Sequence, residues 1–519
     1  MSARLAALLA AGLVGGCGSS EYQRGSAWPP PVQSDVLTRV QTPPTPPEAV
    51  PILGSMTSEL PAGELDIDQV LGSVEGNFPL ILAALEEIEI ARGKLVSARG
   101  GFDTRLEAKG SVEPEGFYEN ETFDVWLEQP TTLWGATFMG GYRIGSGDFA
   151  VYDGKQKTNE GGEYRAGISI PLLQGGRIDP RRVELWRSRI GVERAEPIVL
   201  QKRLEATRKA AGAYWGWVAA GAKRAIAQRQ LELARDRQEQ VELAVSEGEL
   251  AEINAIDNRR LIVEREANRI RAERSLQQAA ILLSLYWRDA EGRPLVPGPE
   301  QLPASFPEPR PPSETLVPEG DRVALERRPE LRALELELEA LELELRLVQN
   351  QWLPKLDVGV FASQDVGSAV SVPDDKEPFE LEALVRFSMP LQRRKPAGDR
   401  RSLEGKINKL RRETSFARDV VVTDVQDAES VLTQAWQRLA QARENVVLAE
   451  RLEQAERLQL EVGQSDLFRV NLREQQTATA AAAVVDVLSE YFKGLADYRA
   501  VLGVPYDEAR GAAGVPPTP

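Results

Sequence analysis

The feature that most constrains this chain is a three-four repeat of small and apolar residues sustained over many helical turns. Val421, Val425, Ala428, Leu432, Ala435, Leu439, Ala442, Val446 and Ala449 form one stripe. Ala210, Ala213, Trp217, Ala220, Ala227, Leu231 and Ala234 form another, interrupted at Arg224. Alternating steps of three and four residues make the seam of a coiled coil, and alanine knobs let the helices approach closely. The pattern predicts one rod over about 178–247 and a second over about 399–462. At 1.5 Å per residue each is roughly 100 Å long, many times an ordinary helix. The run 331–346 alternates Leu and Glu like a strand, yet both are strong helix formers. Leu331, Leu334, Leu338, Leu341, Leu345 and Val348 also keep a heptad, which predicts a helix starting near Arg328-Pro329-Glu330.

The two stripes belong to two similar halves. Ile168-Ser169-Ile170-Pro171-Leu172 resembles Phe387-Ser388-Met389-Pro390-Leu391, and an arginine pair follows each Pro at the same spacing (Arg181-Arg182 and Arg400-Arg401). Leu95-Val96 before Phe102 matches Leu347-Val348 before Pro354, and Gly248 matches Gly463. Offsets of about 252, 219 and 215 residues between the copies point to a tandem duplication. The fall between the first two offsets places about 33 extra residues in the first copy's β-region. The layout is a leader at 1–16, a Pro-rich linker at 17–65 and a first repeat at 66–290 with strands at about 102–173. A Pro-rich connector at 291–319, a second repeat at 320–505 with strands at about 355–390, and a Pro-rich tail at 506–519 complete it.

Candidate strands are 102–112, 123–129, 134–144 and 164–172 in the first copy, and 356–362 and 379–389 in the second. In the last of these Phe379, Leu381, Ala383, Val385, Phe387 and Met389 share one face, while Glu380, Glu382, Leu384, Arg386 and Ser388 share the other. Such two-faced strands of about ten residues suit a membrane barrel, and equally any half-buried antiparallel sheet. Four to six strands are too few to close a barrel of about eight, so strands entering lipid require several protomers to share one. Trp126, Trp134, Phe138 and Tyr142 either form an aromatic girdle or pack on a neighbouring strand.

The first residues read as an export signal: Met-Ser-Ala-Arg, an apolar run from Leu5 to Val14, then Gly15-Gly16-Cys17. That run is too short to span a bilayer, which takes about 20 residues. The Cys after small residues resembles the bacterial lipobox, which makes Cys17 the lipidated first residue of the mature chain. Gly18, rather than Asp, follows it and favours the outer membrane.

Composition narrows the chemistry. The chain has no histidine and one cysteine, which removes the commonest general base, the commonest zinc ligand and any internal disulfide. A net charge of −16 argues against a nucleic-acid partner. No catalytic residue, metal site or cofactor is expected, and the chain reads as a non-enzyme.

The duplicated order of helix, strands, long helix, break and long helix behind a lipoprotein signal resembles the TolC-like outer-membrane efflux proteins. Arg328-Pro329-Glu330-Leu331-Arg332-Ala333, the two Pro-Leu strand ends with their arginine pairs, and the mid-helix glycines carry the resemblance over roughly 66–503. It implies a mostly α member of the α+β class, with long antiparallel coiled-coil helices from a tandem duplication and short β-hairpins contributing to a shared trimeric transmembrane β-barrel. Family members with two hairpins per chain share a barrel of twelve strands; here a third hairpin at 123–144 lies either in the barrel or outside it. The implied function is a passive conduit for tripartite efflux or type I secretion, a homotrimer in outer-membrane lipid with a long periplasmic extension. Its implied partners are a periplasmic adaptor and an inner-membrane pump of RND or ABC type. A lipid-anchored periplasmic coiled-coil scaffold is the competing reading.

In the family a Val-Gly or similar pair marks each helical tip, where adaptors dock. Val462-Gly463 matches fully, Gly248 only in its glycine. Candidate tip residues are therefore Gly248, Asn254 and Asp257 in the first copy, and Val462, Gly463, Asp466 and Arg469 in the second. Some members close the tip with Asp rings six and nine residues after the second Gly. Arg469 and Leu472 stand there, which places cation-binding rings in doubt.

Overall fold

Two helices of about 100 Å run away from a single β-sheet, and shorter helices pack end to end along them. The computed structural model describes residues 63–368 and 377–505. Cys17, the leader, nearly all of the Pro-rich linker and the tail lie outside the described residues. The elements, in order, are α1 (Ile67–Asn77), α2 (Pro79–Arg99), β1 (Arg105–Glu113), β2 (Asn120–Pro130), β3 (Thr137–Gly147), β4 (Glu163–Pro171), α3 (Pro180–Ser246) and α4 (Glu252–Leu283). They continue as α5 (Pro312–Thr315), α6 (Gly320–Arg327), α7 (Pro329–Asn350), β5 (Lys355–Asp365), β6 (Phe379–Ser388), α8 (Arg394–Glu461) and α9 (Leu467–Val501).

Both rods are present, with 67 residues in α3 and 68 in α8. Helix α8 starts five residues before the sequence-based estimate because Pro396 falls in its first turn, where a missing N–H costs nothing. Helix α3 continues through Pro197 at the cost of one ladder bond, held by buried Ala195 and Val199 on either side. The 331–346 run is helical, as its composition implied, within α7.

Ion pairs report the packing register. Arg187–Glu344 and Arg194–Glu337 set α7 antiparallel to the start of α3, and Arg411–Glu342 with Arg418–Glu335 set it antiparallel to the start of α8. Beyond them, Lys223–Asp486 ties α9 to α3 and Arg438–Glu490 ties it to α8, again antiparallel. Most of these pairs are exposed and contribute little energy; burial along the seam holds the helices. Val421, Val425, Ala428, Leu432, Ala435 and Leu439 are all buried, whereas Ala442, Val446 and Ala449 are only half-buried.

The largest core sits where the stacked short helices meet. Trp217 is fully buried, and Trp215 stacks on Phe492 at a centroid distance of 4.5 Å, with Phe306 beside both. Tyr214 donates its hydroxyl to the Leu65 carbonyl at 2.9 Å, and Tyr491 donates to that of Arg310 at 2.6 Å. Those two bonds fasten the segments before α1 and before α5 onto α3 and α9, so the Pro-rich connector at 291–319 is a packed belt rather than a free linker.

The six strands among the described residues form one antiparallel sheet in the order β1-β2-β3-β4-β5-β6. The hairpin β2–β3 therefore lies within the sheet, and β4 pairs with β5 to join the two copies. The repeated arginine pairs differ in structure. Arg182 is buried at the start of α3 and donates to the carbonyls of Gly175 (2.9 Å) and Gly176 (2.6 Å), locking the strand-to-helix turn. Arg400 lies inside α8 and pairs with Glu404 on the surface, because that helix begins sooner after its strand.

Candidate functional site: a two-faced sheet and two helical tips

Antiparallel partners share a face, so the register sorts every strand residue to one side. One cross-strand row reads Leu106, Leu127, Gly140, Ala166, Ala362, Leu381, and the adjacent row on the other face reads Glu107, Trp126, Gly141, Arg165, Ser363, Glu380. The division holds across the sheet. Among the described residues Glu121, at the end farthest from the helices, is the one charged strand residue on the apolar face, where it accepts a bond from Ser146 at 2.8 Å. On that same face Leu106, Leu127, Phe138, Tyr164, Val360, Leu381, Val385 and Phe387 are exposed.

The four aromatics singled out in the sequence do not act together. Phe138 and Tyr142 lie on the apolar face, where Tyr142 meets Tyr164 at 5.3 Å in the cross-strand row that ends at Phe379. Trp126 lies on the polar face beneath the Arg165 guanidinium at 4.7 Å, and Trp134 sits in the β2–β3 turn. Period-two geometry separates 126 from 138 and 142, and sequence distance alone does not reveal it. The segment Val151–Gln156 folds over the polar face, where Arg143 donates to the Lys155 carbonyl at 2.7 Å. Gly145 is required there, since a Cβ would collide with the Gln156 carbonyl.

At the opposite end, the two tips close by the same local geometry. Gly248 has φ 80° and Gly463 has φ 76°, the left-handed conformation that glycine adopts without strain. Each follows its helix cap and is bracketed by two bonds: Gly248 N to Val245 O (3.1 Å) with Glu249 N to Ala244 O (2.9 Å), and Gly463 N to Leu460 O (3.0 Å) with Gln464 N to Gln459 O (2.8 Å). Three residues on, the next helix starts, capped by Ala251 in one copy and Asp466 in the other. Asp466 accepts from the Arg469 amide at 2.9 Å, so it closes the first turn of α9. Asn254 donates to the Ala251 carbonyl at 3.1 Å, and Asp257 accepts from Arg260 at 3.3 Å on the surface. Val462 is exposed. The structure thus gathers Gly248, Asn254 and Asp257 at one tip and Val462, Gly463, Asp466 and Arg469 at the other.

No family model matches the sequence, and no curated protein matches it either. Solved structures do. The chain superposes on CusC, described as forming a transmembrane channel, with a TM-score of 0.63 at 13% identity over 88% of this chain and 97% of that one. It superposes on the MtrE outer membrane channel of Neisseria gonorrhoeae with a TM-score of 0.61 at 15% identity, covering 85% and 90%. For the outer membrane protein VceC of Vibrio cholerae the values are 0.59 and 14%, covering 85% and 96%. The chain has the TolC-like fold.

Behind the tips of this TolC-like chain lies a cluster that its sequence did not announce. Glu474 on α9 is fully buried and receives an arginine from each of the three other helices of the lower half: Arg237 of α3, Arg265 of α4 at 2.9 Å and Arg457 of α8 at 3.0 Å. Its own carbonyl accepts from Gln230 at 3.0 Å, while Arg265 also donates to the Gln230 carbonyl at 2.6 Å and Arg237 to Asn471. Burial pushes the Glu474 carboxyl up, but Arg237 and Arg265 outweigh that and hold it below its ordinary value. The arrangement gives the buried carboxylate its counter-ions and fastens four helices at its two oxygens.

Both tips also carry apolar side chains in solvent: Leu243, Ile253 and Ile256 at one, Leu458, Val462 and Phe468 at the other. Phe468 is 69% exposed, next to the α9 cap, and is not among the tip candidates read from the sequence; its signal there is an aromatic two residues after Asp466. Among the described residues no helix is long and apolar enough to cross a membrane, and no group of acidic side chains could hold a metal.

Proposed function

We propose that the chain is the outer-membrane channel of a tripartite efflux or type I secretion system, a passive conduit built by three copies. The observation that carries this reading is the apolar face of the sheet, exposed on strands of 9 to 11 residues whose two edge strands, β1 and β6, have no partner on their outer side among the described residues. Such strands match the thickness of a bilayer when tilted. An open sheet in lipid would leave edge N–H and C=O groups unpaired, so neighbouring copies must supply the missing ladder. Ile256, Val263 and Ile270, seven residues apart and exposed along α4, are a second surface that neighbouring rods would cover.

In this reading the rods form a periplasmic tunnel, the exposed apolar tips around Gly248, Asn254, Asp257, Val462, Gly463, Asp466 and Arg469 receive a periplasmic adaptor, and an inner-membrane pump of RND or ABC type supplies energy. Cys17 carries the lipid that tethers the mature chain to the outer membrane. The neighbours named outer-membrane channels share the fold and support this assignment. The test is the mass and conductance of purified protein in detergent and planar bilayers. A trimer with discrete conductance is expected. A monomer without conductance, released from membranes by salt after Cys17→Ser, would leave a lipid-anchored scaffold instead.

A further inference from the structure

We infer that the β2–β3 hairpin is a full stretch of membrane wall, so that three copies close a barrel of eighteen strands rather than twelve. The inference rests on the trimeric channel reading above and adds to it the composition of the wall. An extra hairpin could serve equally as an extramembrane flap, and three observations of the sheet decide against that.

First, β2 and β3 lie between β1 and β4 with continuous pairing, nine residue pairs on β1 and seven on β4. A flap would leave β1 paired with β4; here those strands are separated by the whole width of the hairpin. Second, both strands have 11 residues, as long as β5, so they span the same depth. Third, their apolar face is in phase with the rest of the sheet. Val125 and Tyr142 share a row with Tyr164 and Phe379, and Leu127 shares one with Leu106 and Leu381. A hairpin bathed in water on both sides has no reason to keep that phase, and exposing Leu127 and Phe138 there would oppose solubility.

Closure by further copies of this chain follows from the edges. With an even number of strands, β6 runs opposite to β1, so β6 of one copy extends antiparallel onto β1 of the next. Their polar faces complement one another. A register that sets Glu107 opposite Arg386 also sets Lys109 diagonal to Glu382, and the apolar faces then coincide. Barrel diameter grows roughly linearly with strand number, so the mouth is about half as wide again as a twelve-stranded one. Barrels of 16–18 strands enclose an open aqueous channel. Selection of cargo then falls to the tunnel and the tips, and the folded-in segment Val151–Gln156 partly occupies the wider mouth.

The test is a scan of single added cysteines with Cys17 retained, in whole outer membranes, labelled by a lipid-soluble or a water-soluble maleimide and read against the unmodified chain. Val125→Cys, Leu127→Cys and Phe138→Cys probe the hairpin's apolar face, and Asp124→Cys and Glu128→Cys its polar face. Leu381→Cys and Val385→Cys on β6 report on the barrel itself. The expected result is several-fold preference for the lipid-soluble reagent at 125, 127, 138, 381 and 385, and for the water-soluble one at 124 and 128. Lipid preference at 381 and 385 with water preference at 125, 127 and 138 overturns the eighteen-stranded wall and leaves the channel standing. Water preference at all of them overturns the membrane barrel and with it both readings.

Discussion

Arg265 of α4 donates to Glu474 of α9 across 2.9 Å in a site closed to solvent, tying the hairpin of the first copy to that of the second. Arg237 and Arg457 complete the site from α3 and α8, so a single carboxylate is shared by three guanidinium groups, of which Arg457 also pairs with Glu453 at 2.6 Å. Breaking a buried pair by removing one partner is costly because the other charge remains without its counter-ion. Glu474→Gln is expected to destabilise the lower half by about 3–5 kcal/mol, read as a fall in the temperature at which the α3–α4 and α8–α9 hairpins become susceptible to protease. Arg265→Met alone should cost less, because Arg237 and Arg457 still pair with Glu474, and the double variant less than the sum.

The same group sets an acid limit. Its folded pKa lies below the unfolded value of about 4.5, so the stability it contributes is complete above that pH and is lost as pH falls through the folded value. Protease resistance of the hairpins should therefore decline below about pH 4.5, and Glu474→Gln should flatten that part of the profile.

Gly463 tests the tip. No heavy atom lies within 4 Å of a Cβ built there, so substitution meets only the left-handed backbone, worth roughly 1–2 kcal/mol. Gly463→Val is expected to leave assembly intact while lowering export, measured as accumulation of a pump substrate in cells. Phe468→Ser should lower export with unchanged thermal stability, since its ring is exposed in the isolated chain.

The two faces of β6 give opposite expectations. Leu381→Arg places a charge on the apolar face at a cost of about 2–4 kcal/mol at mid-membrane depth, and should reduce the yield of assembled protein in outer membranes. Glu382→Gln, one residue on, keeps the polar face polar and should assemble normally.

Trp217 sits at the centre of the belt core and is fully buried. Trp217→Ala removes its packing and is expected to cost about 3–5 kcal/mol, seen as a lower melting temperature by circular dichroism at 222 nm.

Much of this protein was legible in order along the chain. The heptads of Val421–Leu439 and Ala210–Ala234, the glycines at both tips and the helical reading of the Leu/Glu run all depend on a repeat of three to four residues, which neighbouring positions report directly. Two-faced strands were legible for the same reason, as with Phe379 to Phe387. What the sequence left open depends on partners far away in the chain. Glu474 sits among Arg473, Gln475 and Gln476 like any surface residue, and its arginines lie 237, 209 and 17 positions off. Whether the 123–144 hairpin joins the sheet turns on hydrogen bonds from β1 and β4, which no local pattern encodes. The matched arginine pairs read as equivalent, yet only Arg182 is buried, because α3 starts nearer to it than α8 does to Arg400. Periodicity along the chain determined the rods, turns and strand faces; lateral pairing and the burial of charge, which depend on contacts between distant segments, were decided by the tertiary structure.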